Sequence, residues 1–96
     1  MSGYVLSPLA KADIEGIWDY TAANWSAGQA EKYVRQIQAA IEALAIDPLM
    51  ARSCEMIRAG YRKYPAGSHV IFVRVTPNAI DVVRILHSRM DFERHL

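Results

Sequence analysis

The chain has 96 residues, too few for two independent cores, so a single domain spanning 1–96 is expected. With 52% of residues apolar and 22% charged it is not a disordered tail, and its one cysteine, Cys54, excludes a disulfide-stapled scaffold. The net charge is +1, no apolar run reaches the roughly 18 residues a membrane span needs, and the first residues lack the pattern of a secretory signal, so a cytoplasmic protein without membrane contact is expected.

Tyr4 to Leu6 is a short apolar run that reads as a strand, and it meets a helix start at once, with Ser7 as N-cap and Pro8 in the first turn. Behind that cap Ala10, Ile14, Ile17, Trp18, Thr21 and Trp25 recur at helical spacing, while Lys11, Asp13, Glu15 and Asp19 fall off the stripe. Trp18, Trp25, Tyr20 and Tyr33 are expected in the core, and Gly16 is expected to mark a close approach by another backbone. Ser26 followed by Gln29 matches a capping box, so the first helix ends near Asn24 and a second begins after Ser26. In that second helix Ala30, Val34, Ile37, Ile41 and Leu44 form one stripe, and Asp47 with Pro48 stops it. So short a connection makes the pair an antiparallel αα-hairpin.

From Leu49 the period becomes alternating, with turns at Gly60, at 65–67 and at Pro77 and Asn78. The strands expected are a short one over Tyr61 to Tyr64, a clear one over His69 to Thr76 and another over Ile80 to His87, both of the latter rich in β-branched residues. Cys54 to Arg58 reads as either a strand or an irregular approach. Short connections imply an antiparallel meander, so the expected fold is α+β, in the order β-α-α-β-β-β, with the helix hairpin on one face of the sheet and the other face open. Strict alternation in the last strand puts Ile80, Val82, Arg84 and Leu86 on one side.

The charge is divided along the chain. Residues 1–48 carry three Lys and Arg against six Asp and Glu, a net of −3, whereas residues 49–96 carry eight against four, a net of +4. Seven of those eight cations are arginines, the residue best suited to bidentate pairing with carboxylate or phosphate. An acidic partner is therefore expected. No phosphate-binding glycine loop, nucleophile elbow or zinc-protease motif is present, and Cys54, His69, His87 and His95 lack the spacing of metal ligands. Neither a metal nor a cofactor is expected. Cys54 reads as a small buried hydrophobe, whereas His87 closes the last strand beside Arg84 and Arg89 and is a candidate acid or base.

Taken in order, LSPLAKADIEGIWDY, QAEKYVRQIQAAIEAL, RAGYRKYPAG and VVRILHSRMD resemble the ParE toxins of the RelE/ParE superfamily over Leu6 to Asp91. The resemblance implies a type II toxin that traps DNA gyrase on cleaved DNA and blocks replication, without catalysis of its own. It also implies neutralisation by a ParD-like antitoxin, a ribbon-helix-helix protein with an acidic C-terminal arm, through which alone operator DNA is reached. The alternatives within the superfamily are a ribosome-dependent mRNA endoribonuclease using Arg62, Lys63, Arg84 and His87, or an inactive toxin kept as co-repressor. Phe92 stands near where those nucleases place a C-terminal catalytic Tyr, which favours the gyrase branch. No catalytic residue is assigned. The expected antitoxin-binding set is Arg58, Tyr61, Arg62, Arg74, Arg84 and Arg89, and the expected target-binding set is Lys63, His87, Met90 and Asp91; the helix hairpin is the second candidate surface for the antitoxin.

Overall fold

Local capping decides where the helices begin and end. The Ser7 hydroxyl accepts the Ala10 N–H at 2.9 Å and starts α1 (Pro8–Asn24); the Ser26 hydroxyl accepts the Gln29 N–H at 3.0 Å and starts α2 (Ala27–Ile46). Asp47 then leads into one 3₁₀ turn at Pro48–Met50. The computed structural model describes residues 3–96, with β1 (Tyr4–Leu6) before this hairpin and β2 (Arg52–Ser53), β3 (Tyr61–Ala66), β4 (His69–Val75), β5 (Ile80–His87) and a final turn of helix, α3 (Phe92–His95), after it. Cys54 to Gly60 is a turn rather than a strand. No helix among the described residues is long and apolar enough to cross a membrane.

The five strands form one sheet in the order β1-β5-β4-β3-β2. β3 to β5 are the antiparallel meander expected, β2 extends it as a short antiparallel neighbour of β3 that was not expected, and β1 adds to β5 in parallel, with Tyr4 opposite Ile80 and Leu6 opposite Val82, so the sheet is mixed. A parallel neighbour needs a long crossover, which the whole helix hairpin and meander supply.

The hairpin covers one face. Ile37, Ile41 and Leu44 of α2 and Ala10 and Ile17 of α1 pack on Ile71 and Val73 of β4 and on Ile80, Val82 and Ile85 of β5. Val82 and Ile85 reach the same side because β5 bulges at Val83: Arg84 pairs with Phe72 and Val82 with Val73, leaving Val83 without an opposite residue. The bulge inverts the alternation. Strict period 2 groups Arg84 with Val82, but the extra residue turns Arg84 and Leu86 to the outer face, where Leu86 joins Phe72. That face is not the open surface expected. The Cys54 turn and α3 fold over it and make a second cluster of Cys54, Phe72 and Leu86, bordered by Ile57, Tyr61, Val70, Phe92 and Leu96.

The aromatic residues of α1 depart from expectation as well. Trp18, Tyr20 and Trp25 are 38%, 68% and 76% exposed, and Tyr33 is half-buried. On α1 the core positions are taken by Ala10 and Ile17, and Trp18, the next residue, lies at the margin of the buried stripe. Gly16 has nothing within 4 Å of the place a Cβ would occupy, so it marks no close approach.

One ion pair ties the hairpin to the sheet. Asp13 of α1 accepts from Arg84 Nε at 2.8 Å and Nη2 at 2.9 Å, and also from the Ile85 main-chain N–H at 2.9 Å. β1 ends at Leu6, opposite Val82, so this carboxylate takes over the edge of β5 where strand pairing stops. The two side chains are 14% and 16% exposed, and the Asp13 hydrogen bonds hold the Arg84 guanidinium above its ordinary pKa. Removing one partner strands the other in a poorly hydrated place. Asp13→Ala is expected to cost about 3 kcal/mol in urea unfolding, and the pair Asp13→Leu with Arg84→Met to recover most of it. In the core, Leu44→Ala is expected to cost about 3 kcal/mol by the same measurement, whereas Ile46→Ala, two residues on and exposed, stays within about 0.5 kcal/mol.

Candidate protein-interaction site

The outer face of the sheet gathers part of the expected antitoxin set. Cross-strand pairing places Tyr61 opposite Arg74 and Lys63 opposite Phe72, which is itself opposite Arg84, so these side chains share one face. Arg74 reaches Asp81 at 3.2 Å in an exposed pair. Arg58 enters from the Cys54 turn, its guanidinium 6.0 Å above the Tyr61 ring, and donates to the Leu96 main-chain oxygen. Arg84 is committed to Asp13 and to the His95 carbonyl at 3.1 Å. The result is an apolar centre on Phe72 and Leu86 with an arginine rim.

Other members of the expected sets lie elsewhere. Arg62 is opposite Val73, on the hairpin side, and its Nε donates to the Ala51 carbonyl at 2.9 Å. Arg89 follows β5 in an exposed turn where its N–H donates to His87 Nδ1 at 3.1 Å, and Asp91 precedes α3 without a side-chain cap bond. His87 and Met90 belong to a different surface, a groove between the hairpin and the end of the sheet.

That groove has a volume of about 760 Å³ and is walled by Tyr20, Trp25, Ile17 and Gly16 of α1 and by Tyr33, His69, His87 and Met90. The missing side chain at Gly16 keeps the space clear beside Tyr20. Its floor is organised by the Tyr33 hydroxyl, which accepts the Ser68 N–H at 2.9 Å and shares a 2.7 Å hydrogen bond with His69 Nδ1. The turn carrying Ser68 requires Gly67, at φ +60°, because a Cβ there would stand 2.6 Å from the Tyr33 ring. His69 and His87 are opposite each other across β4 and β5, with ring centroids 5.2 Å apart in an edge-to-face contact. Burial, then the neighbouring His87, hold His69 below the usual imidazole pKa, against an opposing pull from Asp13. The groove is mostly aromatic and apolar, with the Asp13 carboxylate also in its lining, and is suited to apolar side chains. Tyr20, Trp25 and Asp13 were not in the expected sets; the signal for Trp25 was its place immediately before the Ser26 cap, at the far end of the stripe.

Among the described residues no three His, Cys, Asp or Glu side chains come together as metal ligands. Cys54 is buried, and that burial pushes its thiol pKa up, away from a reactive thiolate. Because the folded state depresses His69, the unfolded chain binds the extra proton more readily below about pH 6.5. Stability is fully present above that pH and declines as pH falls towards the folded-state value. A thermal midpoint that drops between about pH 7 and pH 5.5 in the native chain is expected, with a shallower drop in His69→Gln.

Comparison with known proteins agrees with this architecture. A family model described as ParE toxin of type II toxin-antitoxin system, parDE, matches residues 4–92. Toxin ParE1 of Mycobacterium tuberculosis is 53% identical over 96 residues, covering 99% of this chain and 98% of that one. Toxin ParE1 of Caulobacter vibrioides is 44% identical, covering 100% and 99%. In fold, the chain superposes on a structure titled chromosomal ParDE TA system from P. aeruginosa with a TM-score of 0.80 at 20% identity, over 91% of this chain and 96% of that one. With β1, hairpin and meander all inside the matched span, the chain belongs to the ParE toxin family of type II toxin-antitoxin systems.

Proposed function

We propose that this toxin arrests growth by binding DNA gyrase on cleaved DNA, in the cytoplasm, and that a ParD-like antitoxin neutralises it by laying an acidic arm on the outer face of the sheet. The observation that carries the reading is the family match over residues 4–92 joined to an outer face whose apolar centre is rimmed by Arg58, Arg74 and Arg84. An acidic segment that is disordered when free can fold on such a surface, using an apolar anchor for affinity and carboxylates for orientation. The aromatic groove at Trp25 and Tyr20 offers a second contact for a helix of the antitoxin or for the target, and Lys63, His87, Met90 and Asp91 remain the candidates for target contact.

Nucleolytic chemistry is less well supported by the same residues. Phe92 packs edge-to-face on Phe72 with ring centroids 4.8 Å apart, and it has no hydroxyl to offer a phosphate. Arg84, which a phosphate clamp would need free, is held by Asp13. Arg62 and His87 stand away from the outer-face residues.

The purified chain is expected to inhibit supercoiling and accumulate gyrase cleavage complexes while leaving ribosome-bound mRNA intact, both measured on one preparation. No effect on gyrase beside cleavage at the ribosomal A site would reverse the assignment. Arg74→Glu is expected to weaken antitoxin binding about tenfold, equivalent to roughly 1.4 kcal/mol, with recovery when a carboxylate of the antitoxin arm is changed to Lys.

A further inference from the structure

One row of the outer face carries charge that the described residues leave unbalanced. The register of the sheet sets Arg52 of β2 opposite Lys63 of β3, Lys63 opposite Phe72 of β4, and Phe72 opposite Arg84 of β5. Adjacent strands lie about 4.8 Å apart, so Arg52 and Lys63 leave the sheet side by side. Arg84 is answered by Asp13. Arg52 and Lys63 have no such partner: the ion pairs among the described residues are Arg35 with Glu31, Arg74 with Asp81 and Arg84 with Asp13. Glu55 lines a hollow of about 360 Å³ together with Lys63, but its Oε2 accepts the Gly60 N–H at 2.9 Å. Like charges directly opposite each other work against strand pairing, and β2 has only two residues with which to offset that cost. The pair weakens the edge of the sheet, so its use lies with an anion brought from outside.

We propose that Arg52 and Lys63 clamp the phosphodiester backbone of duplex DNA, so that the toxin grips the cleaved duplex as well as the gyrase holding it. The proposal rests on the action at gyrase. β2 is the last strand of the sheet and Arg52 is exposed, so a wide, rigid partner can reach the pair from the side. A duplex presents one negative charge about every 1.7 Å along its axis, so two adjacent cations meet phosphates in any register and need no particular base sequence. An acidic side chain answers one cation, whereas a polymer charged at each unit answers both at once. Single-stranded nucleic acid is the poorer fit, because it needs exposed aromatic faces on which to stack its bases. On this face Phe72 is buried, Tyr61 lies beneath the Arg58 guanidinium, and Phe92 is half-buried edge-on to Phe72. The row offers charge for a backbone and no platform for bases.

The full chain, and a double variant carrying Arg52→Gln and Lys63→Gln, are titrated into a labelled duplex of arbitrary sequence over a series of salt concentrations, read by fluorescence anisotropy. Two phosphate contacts contribute about −2 to the slope of log affinity on log salt, and the double variant is expected to lose that much slope and about tenfold in affinity at low salt. The variant is expected to bind DNA-free gyrase as the full chain does, yet to need about tenfold more toxin to accumulate the same cleavage complexes. Because it removes a repulsion, it is expected to melt no lower than the full chain. Duplex binding that is absent, or unchanged in the variant, overturns the clamp even where the full chain poisons gyrase. An equal loss of affinity for DNA-free gyrase makes the pair a protein contact and overturns it too, as does tighter binding of single-stranded RNA than of duplex. A clear fall in melting temperature assigns the pair to the fold and has the same consequence. Duplex binding that depends on the pair, with gyrase untouched by the full chain, upholds the clamp and overturns the gyrase reading alone.

Discussion

The carboxylate of Asp13 is the constraint on which the arrangement of helices and sheet depends. A parallel strand as short as β1 covers only the first part of β5, and beyond Leu6 the edge of β5 has main-chain groups without a strand to bond. Two side chains, the α1 cap Ser7 and Asp13 in the second turn, finish the edge. The Ser7 hydroxyl donates to the Val83 carbonyl at 2.7 Å while capping α1, and Asp13 accepts the Ile85 N–H. Each residue thus serves the helix and the sheet together, which fixes the position of α1 along β5. Apolar burial between hairpin and sheet is many times larger in free energy, but it is non-directional and would tolerate sliding. The bidentate Arg84 pair does not.

That pair exists because of the bulge at Val83. In a regular strand the side chain two positions beyond Val82 points to the helices, and a guanidinium there would be buried in the main core beside Ile80 and Ile71. The extra residue sends Arg84 outwards, from where its fork reaches around the free edge to Asp13 and its remaining nitrogen reaches the His95 carbonyl. One arginine so joins α1, β5 and α3. The same inversion gives Leu86 to the outer cluster and Ile85 to the inner one, which is why both faces of β5 carry apolar residues.

The helix limits were legible in the sequence because a cap is a local device: Ser7 with Pro8, Ser26 with Gln29, and Asp47 with Pro48 each act within four residues. β4 and β5 were legible from their β-branched runs and the turn between them. The parallel pairing of β1, the bulge and the closing of the outer face depend on residues distant in the chain, where no short-range pattern carries the information. Trp18 and Trp25 misled for a related reason, since helical spacing identifies a stripe but not the length of stripe that the neighbouring layer can cover. Of the candidate site, the arginine content was readable, and the division of its members between the outer face, the inner side and the groove was not. Arg62 and Lys63 are adjacent in sequence yet point to opposite sides of β3.

The opposed charges of the two halves have two consequences, and they compete. Part of the attraction is consumed inside the molecule, at Asp13 and Arg84, where it secures the hairpin. Glu31 pairs with Arg35 within α2, so that helix spends a carboxylate on itself as well. What is left for a partner is the arginine set whose internal bonds are weakest: Arg74, in an exposed pair of the kind worth little in water, and Arg58, bonded to a main-chain oxygen of the tail. An acidic segment gains most at arginines whose present contacts lie exposed to water and least where it must break a sheltered ion pair, so the recognition energy should fall on Arg58 and Arg74 while Arg84 orients without yielding. The surplus of positive charge in the sheet is thus graded by how firmly each arginine is already held, and that grading, more than the net charge, decides which side of the molecule an acidic partner finds.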